Sequence, residues 1–467
     1  MTVVLDGRSL TLDELVRVAR EGEPVVLAPE AREAMRRARE VAAAVVERGD
    51  EAYGLTTGVG VRKRARVEAA GHERLLVQHH LIGQGPGAPP DVVRATALRL
   101  ANALAHGSTA ARPELAEVVL GRLNDNSLPG VRVLGSIGQS DLAAMADLAH
   151  GLLDGFEPER GEGIALLNQN AFATAWAALA VADALMLLDA LDVAGALDLE
   201  AFGAAPASLD PVIGELRPYP GLRATLERLG ALVAGSGRVP QNLQDPLVFR
   251  TLPQVHGAAR DAFGFVARQL GIELNAVQTN PLVTPDGRII SVGAFEILPL
   301  ATALDLARLA LAPVLTSAAE RAVKLLQAPL TGLPEGLGAR PGLAESALSE
   351  LGIAIQAFAA EARLIALPVS LELVSTTQAE GIEDRTTMAP LAARRLAEQV
   401  ELGASVVSVE LLLAAQACDL RGARLGFGTA RAHALVRSVV PFVGEGEPLP
   451  ELEGLVDLVR SGRLGEI

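Results

Sequence analysis

Lysine is almost missing from this chain. Only Lys63 and Lys324 occur among 467 residues, and arginine supplies nearly all the positive charge. Few lysines are therefore available for the Schiff base of pyridoxal chemistry, and there is no Walker-type lysine loop. Cysteine is scarcer still. Cys418 stands alone, which excludes an intrachain disulfide and any CxxC motif and fits a reducing cytoplasm. Aromatic residues make up 3% of the chain, too few to expect an aromatic cage around a quaternary ammonium. Seven histidines are scattered, His79-His80 is the one close pair, and there is no HExxH, so no metal site is expected. The net charge of −15 opposes binding to nucleic acid or an anionic membrane. The opening Met1-Thr-Val-Val-Leu-Asp-Gly lacks a basic stretch followed by an apolar one, so no secretion signal is expected and the location read is cytoplasmic.

What is present favours helix. Half of the residues are hydrophobic, with alanine and leucine dominant. Residues 2–50 read as a short strand and two helices, with Thr11 as a cap and 28–47 strongly helical. Long helices are expected at 171–197, 221–234, 253–272, 294–326, 342–365 and 386–417, because apolar residues recur there at three- and four-residue spacing. The most apolar run, 171–197, carries Asp183, Asp189 and Asp192, which points to a buried bundle helix and away from a membrane span. The fold class read is mainly α: a long antiparallel helix bundle (201–467) with a smaller N-terminal loop-bearing α(+β) domain (1–200). Polar loops interrupt it at 239–246, 280–287 and 375–385.

Two glycine-rich loops attract attention. One is Tyr53-Gly-Leu-Thr-Thr-Gly-Val-Gly60; Tyr53 is one of only two tyrosines. The other is Gly135-Ser-Ile-Gly-Gln-Ser-Asp141, which leads into an Ala/Leu helix. Ser140 or Asp141 can cap that helix, and backbone N–H groups at its positive end suit an anion. The Gly-x-Gly segments do not follow strands in a βαβ pattern, so a dinucleotide site is not expected.

Nine segments in order now add up. They are Val4-Leu-Asp-Gly-Arg-Ser-Leu-Thr-Leu12, the Tyr53 loop, Arg112-Pro-Glu114, Gly135-Ser-Ile-Gly138, Ala165-Leu-Leu-Asn168, Gln244-Asp-Pro-Leu-Val-Phe-Arg250, Asn280-Pro-Leu282, Glu383-Asp384 and Leu425-Gly-Phe-Gly-Thr429. Through them the chain resembles the histidine and aromatic amino-acid ammonia-lyase superfamily from end to end. The resemblance implies a helical homotetramer with active sites shared between subunits, eliminating an amine from an α-amino acid. In that family an Ala-Ser-Gly triplet cyclises to methylidene-imidazolone (MIO), and glycine supplies the attacking backbone nitrogen. This sequence reads Gly138-Gln-Ser-Asp-Leu142 there. Either the glycine is deleted or Asp141 stands in its place, so the expectation is that no MIO forms and no cofactor is present.

The resemblance also implies roles. Tyr53 matches the family's catalytic base, which requires its pKa to fall from about 10 to about 7, worth ~4 kcal/mol and supplied by cations or a helix N-terminus. Arg250 matches the residue that grips the substrate carboxylate. Asn168 and Gln244 match amides lining the pocket, with helix-end capping as the alternative. His80 matches a histidine beside the substrate side chain. Glu383 matches a glutamate facing an imidazole or an amine. Leu247 replaces a second functional tyrosine. Ala294, Phe295 and Glu296 stand in the family's Asn-Phe-His segment with only Phe295 retained, and Arg385 replaces the histidine that follows Glu-Asp.

Without MIO an ordinary ammonium leaves poorly, whereas a quaternary amine departs neutral. Ergothionase, a lyase of this superfamily that releases trimethylamine from a 2-thiohistidine betaine, works in that way. The leading expectation is therefore an MIO-independent elimination from an amino acid or its betaine. Tyr53 takes the β-proton, Arg250 holds the carboxylate, Glu383 binds the imidazole or cation, and Ser140 with nearby N–H groups stabilises developing charge. A conventional histidine or aromatic amino-acid ammonia-lyase and a non-catalytic paralogue used for binding or assembly stay open as alternatives.

Overall fold

The computed structural model describes residues 2–67, 71–371 and 378–467. The start of the expected 375–385 loop lies outside them. The protein is mainly helical, as its composition implies. Contacts divide it into two units, each discontinuous in sequence. The first comprises Met1–Ala182, Ala267–Asp305 and Pro368–Arg394; the second comprises Asp183–Val266, Leu306–Leu367 and Arg395–Ile467. A single cut at residue 200 was expected. Four of the five boundaries instead fall inside the helices Ala171–Phe202, Leu252–Glu273, Leu298–Leu325 and Ala389–Arg421, so a linear reading cannot find them.

In the first unit, the strand Val3–Leu5 pairs in parallel with Val25–Leu27. Between them Thr11 forms a full capping box: its hydroxyl accepts from the Glu14 amide, and the Glu14 carboxylate accepts from the Thr11 amide. The helix expected at 28–47 is Pro29–Arg48, opened by a proline that has no N–H to leave unpaired. Two expected helices start later than their hydrophobic pattern. Leu298–Leu325 begins where Glu296 caps the Leu298 amide and Pro299 enters the first turn. Leu351–Ile365 waits because Gly342 and Ala347 adopt left-handed backbone at φ +81° and +48°.

The second unit is held by helices whose apolar residues are buried against one another. Buried within it, Arg321 donates to Asp198 at 2.8 Å and to Glu410 at 2.6 Å, which joins three helical segments through one guanidinium. Among the described residues, three helices are long and apolar enough to cross a membrane, but their most apolar windows are 78%, 61% and 83% buried inside the fold. Core packing accounts for that composition.

Candidate active site

The candidate residues of the first unit lie in loops and at helix ends. Residues 52–60 turn tightly because the Ala52 carbonyl accepts from the amides of Leu55, Thr56 and Thr57. The turn half-buries Tyr53, whose hydroxyl accepts from the Gly60 amide at 3.0 Å. Gly60 also packs beside Glu383: a Cβ there would lie 3.5 Å from Glu383 Oε1. Tyr53 and Glu383 therefore both neighbour Gly60. The electrostatics differ from the sequence reading. Burial raises the Tyr53 phenol above its ordinary value, the Gly60 N–H opposes this, and the negative Glu383 raises it further. The charge acting on the phenol is a carboxylate where a cation was expected.

The 135–141 loop is fixed from both sides. The Ile137 carbonyl accepts from the amides of Thr387 and Met388 at 3.1 and 3.0 Å. The Gly138 carbonyl accepts from Thr387 Oγ1 at 2.8 Å and from Asn170 Nδ2 at 3.2 Å. Gly138 has φ +82°, and a Cβ there would meet Thr387 Oγ1 at 2.1 Å, so the position demands glycine. Ser140 is buried with φ +56° and donates to Asn168 Oδ1. Asn168 Nδ2 in turn donates to the Asn280 carbonyl at 2.6 Å, and Asn280 Oδ1 accepts from the Val292 amide at 2.8 Å.

Neither Ser140 nor Asp141 caps the Leu142–Leu152 helix through its side chain, contrary to expectation. Ser140 is committed to Asn168. The Asp141 carboxylate crosses to a different helix, accepting from the Ala173 amide at 2.7 Å in the first turn of Ala171–Phe202. The Asp141 amide donates to the Gln169 carbonyl at 2.8 Å. It is therefore not one of the free N–H groups foreseen for an anion.

The remaining residues fall into two places. His80 ends the His72–His79 helix, with Nδ1 2.7 Å from the Leu76 carbonyl, so Nδ1 carries the proton there. Phe295 is half-buried in the turn before Glu296. The Glu296 carboxylate accepts from Gln139 Nε2 at 2.8 Å. In the second unit, Arg250 Nε donates to the Asp245 carbonyl at 2.7 Å. With its amide oxygen turned toward the guanidinium, Gln244 accepts from both Arg250 Nη atoms at 3.0 and 3.1 Å. Gln244 thus steadies Arg250.

A family model for aromatic amino acid lyases matches residues 10–155 and 150–438. A histidine ammonia-lyase from Symbiobacterium thermophilum is 35% identical, covering 99% of this chain and 98% of that protein. The chain belongs to the aromatic amino acid lyase family. It is a carbon–nitrogen lyase. Another relative, histidine ammonia-lyase of Deinococcus radiodurans, is 34% identical over 99% of this chain and 94% of its own length. Among solved structures, ergothionase from Treponema denticola superposes with a TM-score of 0.92 at 26% identity, covering 99% of both chains. Histidine ammonia-lyase from Trypanosoma cruzi gives 0.91 at 27% identity, covering 100% of this chain and 94% of that one.

For a lyase of this family, the environment of Asp141 is the unexpected part. Full burial pushes its carboxyl up to about 7, although the Ala173 and Phe172 amides pull it down. The helix N-terminus favours the anion, and desolvation outweighs it. Because the folded pKa lies above the ordinary 3.8, the native state holds a proton that the unfolded chain has lost. Stability is then complete below about pH 4 and falls as pH rises toward 7, by a total on the order of 4 kcal/mol. Asp141→Asn keeps an acceptor for Ala173 and abolishes the charge. Urea melts should show the variant gaining on wild type from pH 4 to pH 7 and holding a constant advantage above; parallel curves would refute the assignment.

Proposed function

We propose that this lyase eliminates trimethylamine from a histidine betaine such as ergothioneine or hercynine, without an MIO group, as a cytoplasmic homotetramer with shared active sites. The observation that carries the reading is residue 141. Ring closure needs an unhindered backbone nitrogen after the serine. Here that nitrogen belongs to an aspartate, is hydrogen-bonded to Gln169, and carries a side chain buried against the Ala171–Phe202 helix. Residues 139–141 do not fit the prosthetic group.

The proposed chemistry uses the chain's own residues. Arg250 holds the substrate carboxylate, its guanidinium steadied by Gln244. Glu383 faces the quaternary ammonium, with His80 and Phe295 toward the imidazole. Bringing that cation beside Glu383 and Tyr53 offsets the carboxylate and supplies the positive charge that the phenol lacks in the free protein. Tyr53 as phenolate then takes the β-proton. The C–H electron pair becomes the C=C bond, the C–N bond breaks, and trimethylamine departs neutral. Ser140, held by Asn168, lies on the loop proposed to bear developing charge on the carboxylate. Tyr53 afterwards returns its proton to water.

The test is incubation with ergothioneine and with hercynine. Release of trimethylamine with formation of an unsaturated acid is expected; no release from either sinks this substrate class. The competing reading, an ordinary histidine ammonia-lyase, is favoured by relatives of that name at 35% identity. It requires ammonia from histidine and an intact mass short by two waters.

A further inference from the structure

Three departures from the family pattern, Gln139, Glu296 and Arg385, converge on a single carboxylate. Glu296 Oε2 accepts from Gln139 Nε2 at 2.8 Å and from Arg385 Nε at 3.3 Å. Its Oε1 accepts from the Leu298 amide at 3.1 Å, and the backbones of Gln139 and Glu296 form an antiparallel bridge. One side chain therefore ties together the 137–140 loop, the start of the Leu298–Leu325 helix and the 383–388 segment. Gln139 immediately precedes Ser140, and Arg385 lies two residues beyond Glu383.

We infer that Glu296 is a positioning residue, which sets where Ser140 stands relative to Glu383. The chemistry of the trio argues for it. A neutral imidazole at 296 offers one acceptor nitrogen, whereas a carboxylate accepts several donors at once. The two contacts are not equal. Arg385 is 56% exposed, so its pair with Glu296 is screened by water and weak. Gln139 and Glu296 are both partly buried, and Gln139 directly precedes Ser140. The constraint matters most in a site whose loop must keep Ser140 in left-handed backbone with no ring to lock it. The roles of Ser140 and Glu383 rest on the proposed elimination; the tether itself does not.

The experiment is a double-mutant cycle with Glu296→Ala and Gln139→Ala, alongside Glu296→Gln and Arg385→Ala. With ergothioneine as substrate, each of the first two should lower kcat at least about tenfold and change KM less than about threefold, and the double variant should be no worse than the worse single. Glu296→Gln keeps an oxygen for Gln139 and should recover to within a few-fold of wild type. Arg385→Ala should stay within about threefold. Independent additive losses, or no recovery in Glu296→Gln, overturn the inference. Hydrogen exchange is read in parallel without substrate. Glu296→Ala should speed exchange at the amides of Asp141, Thr387 and Met388, and Glu296→Gln should not. Unchanged exchange overturns the tether. Faster exchange in a protein that releases no trimethylamine overturns the substrate reading alone.

Discussion

Tyr53→Phe should lower kcat by about 100- to 10,000-fold, the span expected when a positioned general base is removed. The fold should survive, because the ring stays and only one hydrogen bond, from the Gly60 amide, is lost. The pH profile gives a sharper signature. Burial and Glu383 hold the free phenol above its ordinary value, so kcat/KM in wild type should keep climbing well into alkaline pH. A bound quaternary ammonium stabilises the phenolate. The ascending limb of kcat should therefore lie at lower pH than that of kcat/KM, and Tyr53→Phe should erase both limbs. A variant retaining more than a tenth of wild-type kcat, or limbs that survive the substitution, would remove Tyr53 from the chemistry.

Arg321→Met is expected to cost about 3–5 kcal/mol of stability, the scale for stripping one partner from a buried ion pair. Asp198 and Glu410 would be left together in the helix core of the second unit with no cation between them. Asp198 is already raised well above the carboxylate range, first by burial and then by Glu410, while Arg321 pulls it down. Deleting the guanidinium raises Asp198 further. The folded state then binds more protons than the unfolded one, so the deficit should widen as pH rises from about 5 to 8 and narrow on acidification. Adding Asp198→Asn and Glu410→Gln to Arg321→Met should restore most of the loss. Urea midpoints at the two pH values measure all of this, and a loss below about 1 kcal/mol would show that the triad carries no such weight.

The helices were legible because alanine and leucine repeat at helical spacing through Ala171–Phe202, Leu298–Leu325 and Ala389–Arg421. Their starts were less so, since Pro299 and left-handed Ala347 override the pattern locally. Matching motifs in order singled out Tyr53, Glu383, Gln244 and Arg250, though not what each of them touches. Three further things were not legible. Asp141 reads as a cap for the helix directly after it, yet it serves one that begins 30 residues later. Ser140 reads as a loop hydroxyl, yet Asn168 claims it. Gln139, Glu296 and Arg385 read as separate departures, although they share one carboxylate. Each miss is a contact between segments far apart in sequence, on which local propensity is silent. Thr387 and Asn170, which clamp Gly138, carried no signal at all.

The clamp on Gly138 has a temporal side. The bond from Thr387 Oγ1 to the Gly138 carbonyl spans 249 positions of chain. Such long closures are costly in entropy and are completed late. During synthesis, helices such as Pro90–Ala105 can fold soon after leaving the ribosome, and the loop that carries Ser140 can meet Asn168 and Asn170 early, but its clamp stays open on one side until residue 387 has emerged. A growing polypeptide of this kind acquires its architecture well before its reactivity, and an unfinished copy is a scaffold without chemistry.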